Sequence, residues 1–71
     1  MEKRTVIITL NLAQVEELTN LKKSTIYKLM QKGEFPLRMR LSPGRVGWLQ
    51  HEVLDWINEK VKIRDKARGI R

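Results

Sequence analysis

The sequence predicts a mainly α-helical fold with a small β-hairpin, arranged as a winged helix-turn-helix: a helix-turn-helix, a two-stranded wing and a third helix. Two short segments with apolar residues at helical spacing are joined by a brief turn. Two extended segments flank a Ser-Pro-Gly turn, and a longer amphipathic segment follows them. Because the chain has only 71 residues, we expect one small core and no deep cleft between domains.

The first helix is predicted from Leu12 to Thr19. Asn11 precedes it as the N-cap, and Gln14, three residues later, is the reciprocal partner of a capping box. The apolar positions recur three residues apart and face the core: Leu12, Val15 and Leu18. Upstream, the β-branched segment from Thr5 to Leu10 predicts a short strand or a lead-in packed on the core, after a polar start at residues 1–4.

The second helix is predicted from Lys23 to Lys32. Asn20, which comes before it, tolerates the left-handed conformation that ends helices, and Leu21 fills the turn as an apolar plug. Gly33 is the predicted C-terminal stop. The inward face consists of Ile26, Leu29 and Met30. Two short helices packed around such a plug form a helix-turn-helix.

The predicted wing consists of two extended segments on either side of residues 42–44. In the first, apolar and cationic residues alternate as in a half-buried strand, with Leu37, Met39 and Leu41 on one face and Arg38 and Arg40 on the other. The second, Arg45–Leu49, returns with Val46 and Trp48 on one face. The sequence therefore predicts a hairpin with cationic outer positions.

The third helix is predicted to begin near Gln50. Its apolar stripe comprises Val53, Leu54, Trp56, Ile57 and Val61. We assign Trp56, like Trp48 in the wing, to core packing rather than to base stacking. The predicted domain spans residues 1–61, and residues 62–71 form a basic, flexible tail.

Charge and composition favour a binding protein over an enzyme. The 15 Lys and Arg residues exceed the 8 Asp and Glu residues, which gives a net charge of +7 and favours nucleic acid first, and an anionic membrane surface second, as the partner. With no cysteine and one histidine, we expect no metal and no cofactor. We interpret the best acid–base pair, His51 and Glu52, as structural, so no enzyme is predicted. Neither a bilayer-spanning segment nor a signal-peptide core is predicted, so we expect a cytoplasmic protein without a membrane partner.

The outward face of the second helix carries side chains that can read bases. Ser24, Lys28 and Gln31 face outward, flanked by Lys23, Thr25, Tyr27 and Lys32. Lysine can donate to guanine, glutamine can pair with adenine, and serine and threonine serve base or phosphate. Base contacts usually come from the N-terminal half of such a helix, so four residues rank above Gln31: Lys23, Ser24, Thr25 and Lys28. Tyr27 is either a core-edge residue or a phosphate contact.

The wing adds three arginines: Arg38, Arg40 and Arg45. Beside a helix-turn-helix, such residues contact phosphates or enter the minor groove. Together the two elements predict double-stranded DNA as the partner. Two alternatives stay open: a polar surface that is merely solvated, and a basic module that binds RNA or protein.

Several short motifs resemble the AlpA family of small prophage regulators, which is related to MerR-like winged helix-turn-helix proteins. The resemblance covers Leu10 to about Lys60, and its specific pieces are Ser24-Thr25-Ile26-Tyr27, Gly33-Glu34-Phe35-Pro36, Arg45-Val46-Gly47-Trp48, Glu52-Val53 and Trp56-Ile57. It implies a DNA-binding transcriptional regulator of a prophage or mobile element, with residues 23–28 on the recognition helix and 38–45 on the wing. It also implies an alternative, an excisionase that bends DNA and assists an integrase.

The chain departs from the family pattern at two positions. Asn20 stands where the family usually has glycine, and Lys22 stands where it usually has serine. Loss of the serine cap costs about 1 kcal/mol, and a cation at the positive end of a helix is locally unfavourable. A nearby phosphate would relieve this, so Lys22 is a candidate backbone contact.

The number of copies on DNA follows from the size of the predicted interface. One recognition helix and a small wing read only a few base pairs, so useful specificity needs two or more copies or a partner. We therefore expect side-by-side self-association on repeated sites, with an integrase or RNA polymerase as the candidate protein partner.

Overall fold

The computed structural model of the chain describes residues 6–67. Its elements, in chain order, are β1 (Thr9–Leu10), α1 (Leu12–Thr19), α2 (Lys23–Gln31), β2 (Met39–Ser42), β3 (Arg45–Leu49) and α3 (Gln50–Ala67). The predicted polar start at residues 1–4 and the last four residues of the predicted tail lie outside the described residues. The three helices and the hairpin confirm the predicted fold class.

Local capping explains where α1 begins and ends. The Asn11 side chain accepts from the Gln14 backbone N–H at 2.8 Å, and the Gln14 side chain accepts from the Asn11 N–H at 2.8 Å, which completes the predicted capping box. Asn20 then adopts the predicted left-handed conformation (φ 62°, ψ 28°), and its N–H donates to the Glu16 carbonyl at 2.7 Å. This turn delivers Leu21 to the core edge between the two helices.

The sheet is antiparallel, with three strands in the order β1-β3-β2. Pro43 and Gly44 (φ 80°) make the hairpin turn, the pairing that suits a type II turn, and the register shifts between Arg40 and Ser42. Gly47 has no room for a side chain, because a Cβ there would be 2.9 Å from the Leu41 side chain and 3.1 Å from the Leu10 carbonyl oxygen. The two wing strands were predicted, whereas the pairing of β1 with β3 was not.

The prediction that the first wing strand is half-buried is wrong. Every residue of β2 is exposed, Leu37 just before it is 65% exposed, and Val46 does not share the burial of Trp48. The physical reason is the position of β2 at the outer edge of the sheet, while α3 packs against β3. Alternation along the strand separates its two faces, but within residues 6–67 no second layer covers the apolar one.

The buried core draws residues from every helix and strand except β2, and from the linker after α2: Leu10, Val15, Ile26, Phe35, Trp48 and Val53. Trp48 is fully buried and its indole N–H donates to the Pro36 carbonyl at 3.1 Å. Trp56 is half-buried against Phe35, with ring centroids 4.8 Å apart, and its N–H donates to the Glu34 carbonyl at 2.7 Å. Core packing of both indoles is confirmed, and their N–H groups hold the 34–36 linker that joins α2 to the wing.

The third helix is longer and less buried than predicted. It continues to Ala67, so residues 62–67 of the predicted tail are helical. Of its expected apolar stripe, Leu54 (44% exposed) and Val61 lie at the surface, because the sheet covers only part of the helix. The division between a domain at 1–61 and a tail at 62–71 stays a prediction. Across residues 6–67, the helices are all too short or too polar to cross a bilayer.

Candidate nucleic-acid interface

Helix α2 has one buried face and one exposed polar face. Ile26 is fully buried, and Leu29 and Met30 pack against the core, as predicted. Because helical residues two positions from Ile26 point away from it, Ser24 and Lys28 face solvent, and the other polar side chains of the helix are exposed beside them. The exposed residues are Lys23, Ser24, Thr25, Lys28, Gln31 and Lys32. The structure therefore brings these predicted site residues together on one element.

The start of α2 has no side-chain cap. Lys22 is the N-cap residue (φ −87°, ψ 159°) and its side chain makes no capping hydrogen bond. The N–H groups of the first turn have no partners within the helix, and the helix dipole makes this end positive. An open depression surrounds the turn, lined by Glu16, Asn20, Leu21, Lys22, Lys23 and Ser24.

An acidic residue that the sequence did not predict at this site borders the depression. Glu16 lies on α1 and lines the depression together with Lys22 and Lys23. The signal that could have found it is its position one helical turn before Asn20, whose N–H donates to the Glu16 carbonyl. A carboxylate there repels anions, so the depression is cationic only on the side of Lys22 and Lys23.

Replacement of Lys22 by serine is expected to raise the free energy of unfolding by about 0.5–1 kcal/mol, because a hydroxyl cap then satisfies a free N–H of α2. It also removes a cation from the predicted interface, so duplex affinity at low salt is expected to fall. Urea unfolding and a binding titration measure the two effects. Lys66→Ser, an equal charge loss on exposed α3, is the matched control. A stability gain of the same size in that control would contradict the cap explanation.

Tyr27 and Arg38 connect α2 to the wing. The Arg38 guanidinium donates to the Tyr27 hydroxyl oxygen at 3.0 Å, and its central carbon lies 5.2 Å from the ring centroid. Tyr27 is half-buried, with its ring 6.5 Å from that of Trp48. The Tyr27 ring thus lies at the core edge while its hydroxyl reaches the surface. The two alternatives predicted for Tyr27, a core-edge residue and a phosphate contact, are therefore compatible.

The wing gathers its arginines around one shallow concave surface. Arg38, Arg40 and Arg45 line it together with Met39, Gly44 and Val46. All three arginines are exposed. The hairpin register explains the grouping, because Arg40 pairs with Val46 across the strands and Arg45 follows the tight turn directly.

The cations of α2 and of the wing form no ion pair with a carboxylate among the residues that the structure describes. Within that range the ion pairs are Lys62–Glu59 at 3.7 Å and Arg64–Asp65 at 2.7 Å, and both lie on α3. The same range contains no group of three or more acidic or histidine side chains that could hold a metal ion. The positive charge of α2 and the wing is therefore available to an anionic partner.

The sequence of the chain is similar to that of phage proteins. A family model described as "Prophage CP4-57 regulatory protein (AlpA)" matches residues 9–61, which include every element up to the middle of α3. A protein of Enterobacteria phage P4, named "Uncharacterized protein ORF88", is 39% identical over 58 residues, which cover 82% of this chain and 66% of the phage protein. The chain thus spans just under two thirds of the length of that relative. No solved structure matches the chain.

Proposed function

Because the chain belongs to the AlpA family of prophage regulatory proteins, we propose that it is a sequence-specific DNA-binding transcriptional regulator of a prophage or mobile element. One observation carries the proposal: α2 and the wing expose cations that no carboxylate pairs with in the described part of the chain. Such a surface suits a polyanion whose charges are regularly spaced. We place its action in the cytoplasm, on double-stranded DNA, and propose no enzymatic activity.

In this proposal α2 enters the major groove. Lys23, Ser24, Thr25 and Lys28 make the main base contacts, and Gln31 and Lys32 contact the far edge of the site. A lysine at a guanine and a serine or threonine at either a base or a phosphate supply the discrimination. Lys22 and the uncapped start of α2 contact the backbone, where the positive helix end favours a phosphate.

The wing supplies backbone or minor-groove contacts beside that groove. Arg38, Arg40 and Arg45 line one surface, so they can follow a single stretch of backbone. Contacts of this kind position the protein and add little direct base reading, unless an arginine enters a narrow minor groove.

A second candidate function, that of an excisionase, uses the same surface. The wing favours it, because a hairpin beside the recognition helix gains contacts when the duplex bends toward it. An integrase is then the protein partner, whereas RNA polymerase is the partner of an activator. A circular-permutation bending assay with and without integrase separates the two functions.

We also propose that several copies bind side by side. Helix α2 is only nine residues long and the wing is a single hairpin, so one copy contacts few base pairs. Protection of two or more repeated sites at the same protein concentration, in a footprinting titration, supports this proposal. A single binding step with a one-site footprint contradicts it.

The test of DNA binding is a titration of fluorescent duplexes tiled across the DNA that flanks the gene, at two salt concentrations and with single-stranded competitor. We expect one or two duplexes to bind at least about tenfold more tightly than the rest. Lys28→Ala is expected to lose about tenfold or more on those duplexes, because one good base contact is worth about 1–3 kcal/mol.

The matched control for Lys28→Ala is Lys66→Ala, which removes the same charge from exposed α3 and should keep the preference. If all duplexes bind alike and both variants weaken them equally, the surface is a generic polyanion site. Stronger binding to single-stranded DNA or RNA would instead support the basic RNA-binding alternative. Either result contradicts the proposed function.

A further inference from the structure

Tyr27 and Arg38 make the side-chain hydrogen bond that joins α2 to the wing in the described part of the chain. The guanidinium donates at 3.0 Å to the hydroxyl oxygen and lies beside the ring face, 5.2 Å from its centroid. In this bond the hydroxyl acts as the acceptor, so its own proton has no protein acceptor among residues 6–67. Tyr27 can therefore still donate one hydrogen bond outward.

The Tyr27–Arg38 pair presents several hydrogen-bond donors, and among the described residues no carboxylate forms an ion pair with it. An arginine has five N–H groups, of which one is used for Tyr27, and Arg38 forms no ion pair within the described residues. Donation from a cation to the hydroxyl oxygen polarises the O–H bond and makes the hydroxyl a better donor. The combination suits an anion with at least two oxygen atoms, as a phosphodiester has.

The buried indole of Trp48 contacts the Tyr27 ring and the backbone just before Arg38. Its N–H bond to the Pro36 carbonyl, 3.1 Å long, holds the backbone two residues before Arg38. Its ring lies 6.5 Å from that of Tyr27, at an angle of 52°. Trp48 is fully buried, so it supports the Tyr27 ring and the backbone before Arg38. The hydrogen bond to Tyr27 restricts the exposed guanidinium itself, which lowers the entropy lost on binding.

We propose that Tyr27 and Arg38 form a composite site for one backbone phosphate of duplex DNA, and that this phosphate couples α2 to the wing. The inference rests on the proposed function, in which α2 occupies a groove and the wing lies beside it. The sugar-phosphate backbone runs between neighbouring grooves, so a pair that bridges the two elements faces that strand. The hydroxyl donates to one phosphate oxygen and the remaining guanidinium N–H groups donate to the other.

The test combines three variants with duplexes in which one phosphate at a time is replaced by an uncharged methylphosphonate. We expect one position where this replacement weakens the wild-type protein about tenfold, the value of one charge-assisted hydrogen bond. At that position the same replacement should lower the affinity of the Tyr27→Phe and Arg38→Ala variants by less than about twofold, because these variants have already lost the phosphate contact. Arg40 is a neighbouring cation without a hydrogen bond to α2, so the Arg40→Ala variant should still lose about tenfold in affinity when that phosphate is replaced.

A double-mutant cycle gives the second readout. The combined loss in Tyr27→Phe/Arg38→Ala should be about equal to the larger single loss, whereas the losses in Tyr27→Phe/Arg40→Ala should multiply. Circular dichroism checks that every variant is folded. Unchanged affinity of Tyr27→Phe, or multiplying losses for Tyr27 and Arg38, would overturn the composite site, even when the wild-type protein prefers one duplex. A wild-type protein without any duplex preference would overturn the proposed function as well.

Discussion

Replacement of Trp48 by alanine is expected to destabilise the domain severely and to lower its melting temperature toward room temperature. The side chain is fully buried, and truncation of such a residue usually costs about 3–5 kcal/mol. It also removes the donor to the Pro36 carbonyl, and with it the support of the linker between α2 and the wing. A chain of this size has a total free energy of unfolding of only about 4–10 kcal/mol. The loss therefore removes about a third of it at the upper end of that range and all of it at the lower end.

Circular dichroism and amide-proton dispersion measure this loss. Trp48→Phe keeps an aromatic ring but loses the N–H donor, so it should stay folded with a lower melting temperature. Trp56→Ala is the comparison, because Trp56 is only half-buried and its removal should cost less. A Trp48→Ala protein that melts like the Trp56→Ala protein would show that the buried indole does not dominate the core.

Removal of the three wing arginines is expected to weaken duplex binding and to flatten its salt dependence. Each phosphate contact adds about 0.9 to the slope of log affinity against log salt. Loss of Arg38, Arg40 and Arg45 should therefore lower the slope by about 2.7. The ranking of duplexes should change little if the wing contacts only the backbone, because such contacts carry no base information.

The matched control removes three lysines from α3 instead: Lys60, Lys62 and Lys66. These side chains are exposed and lie outside the proposed interface, so the slope should fall by much less. Fluorescence titrations of the preferred duplex at several salt concentrations give both slopes. An equal fall in the two triple variants would show that overall charge, rather than the wing, determines the salt dependence.

The parts of the fold that could be predicted from the sequence are those set by local chemistry. The bounds of α1, its capping box and the left-handed Asn20 depend on side chains that are neighbours in the chain. The outward face of α2 follows from helical periodicity, once Ile26 is assigned to the core. The hairpin turn at Pro43-Gly44 likewise follows from residue types with known backbone preferences.

The parts that could not be predicted depend on contacts between distant residues. Alternation in β2 indicates two faces, but the cover over its apolar face is decided by where α3 packs. The pairing of β1 with β3 joins positions far apart in the chain. The Tyr27–Arg38 contact and the two indole bonds to the linker depend on tertiary positions that no periodicity encodes.

The pairing of β1 with β3 has a consequence for synthesis on the ribosome. Both α1 and α2 are short, eight and nine residues, and isolated helices of that length are marginal in water. The core residues against which they pack include Trp48 in β3 and Val53 in α3. Strand β1 also needs β3, because β3 is its pairing partner. A nascent chain stopped before Trp48 therefore already contains the whole of α2 but lacks the residues that hold it, so the domain becomes stable only when the first turns of α3 leave the exit tunnel.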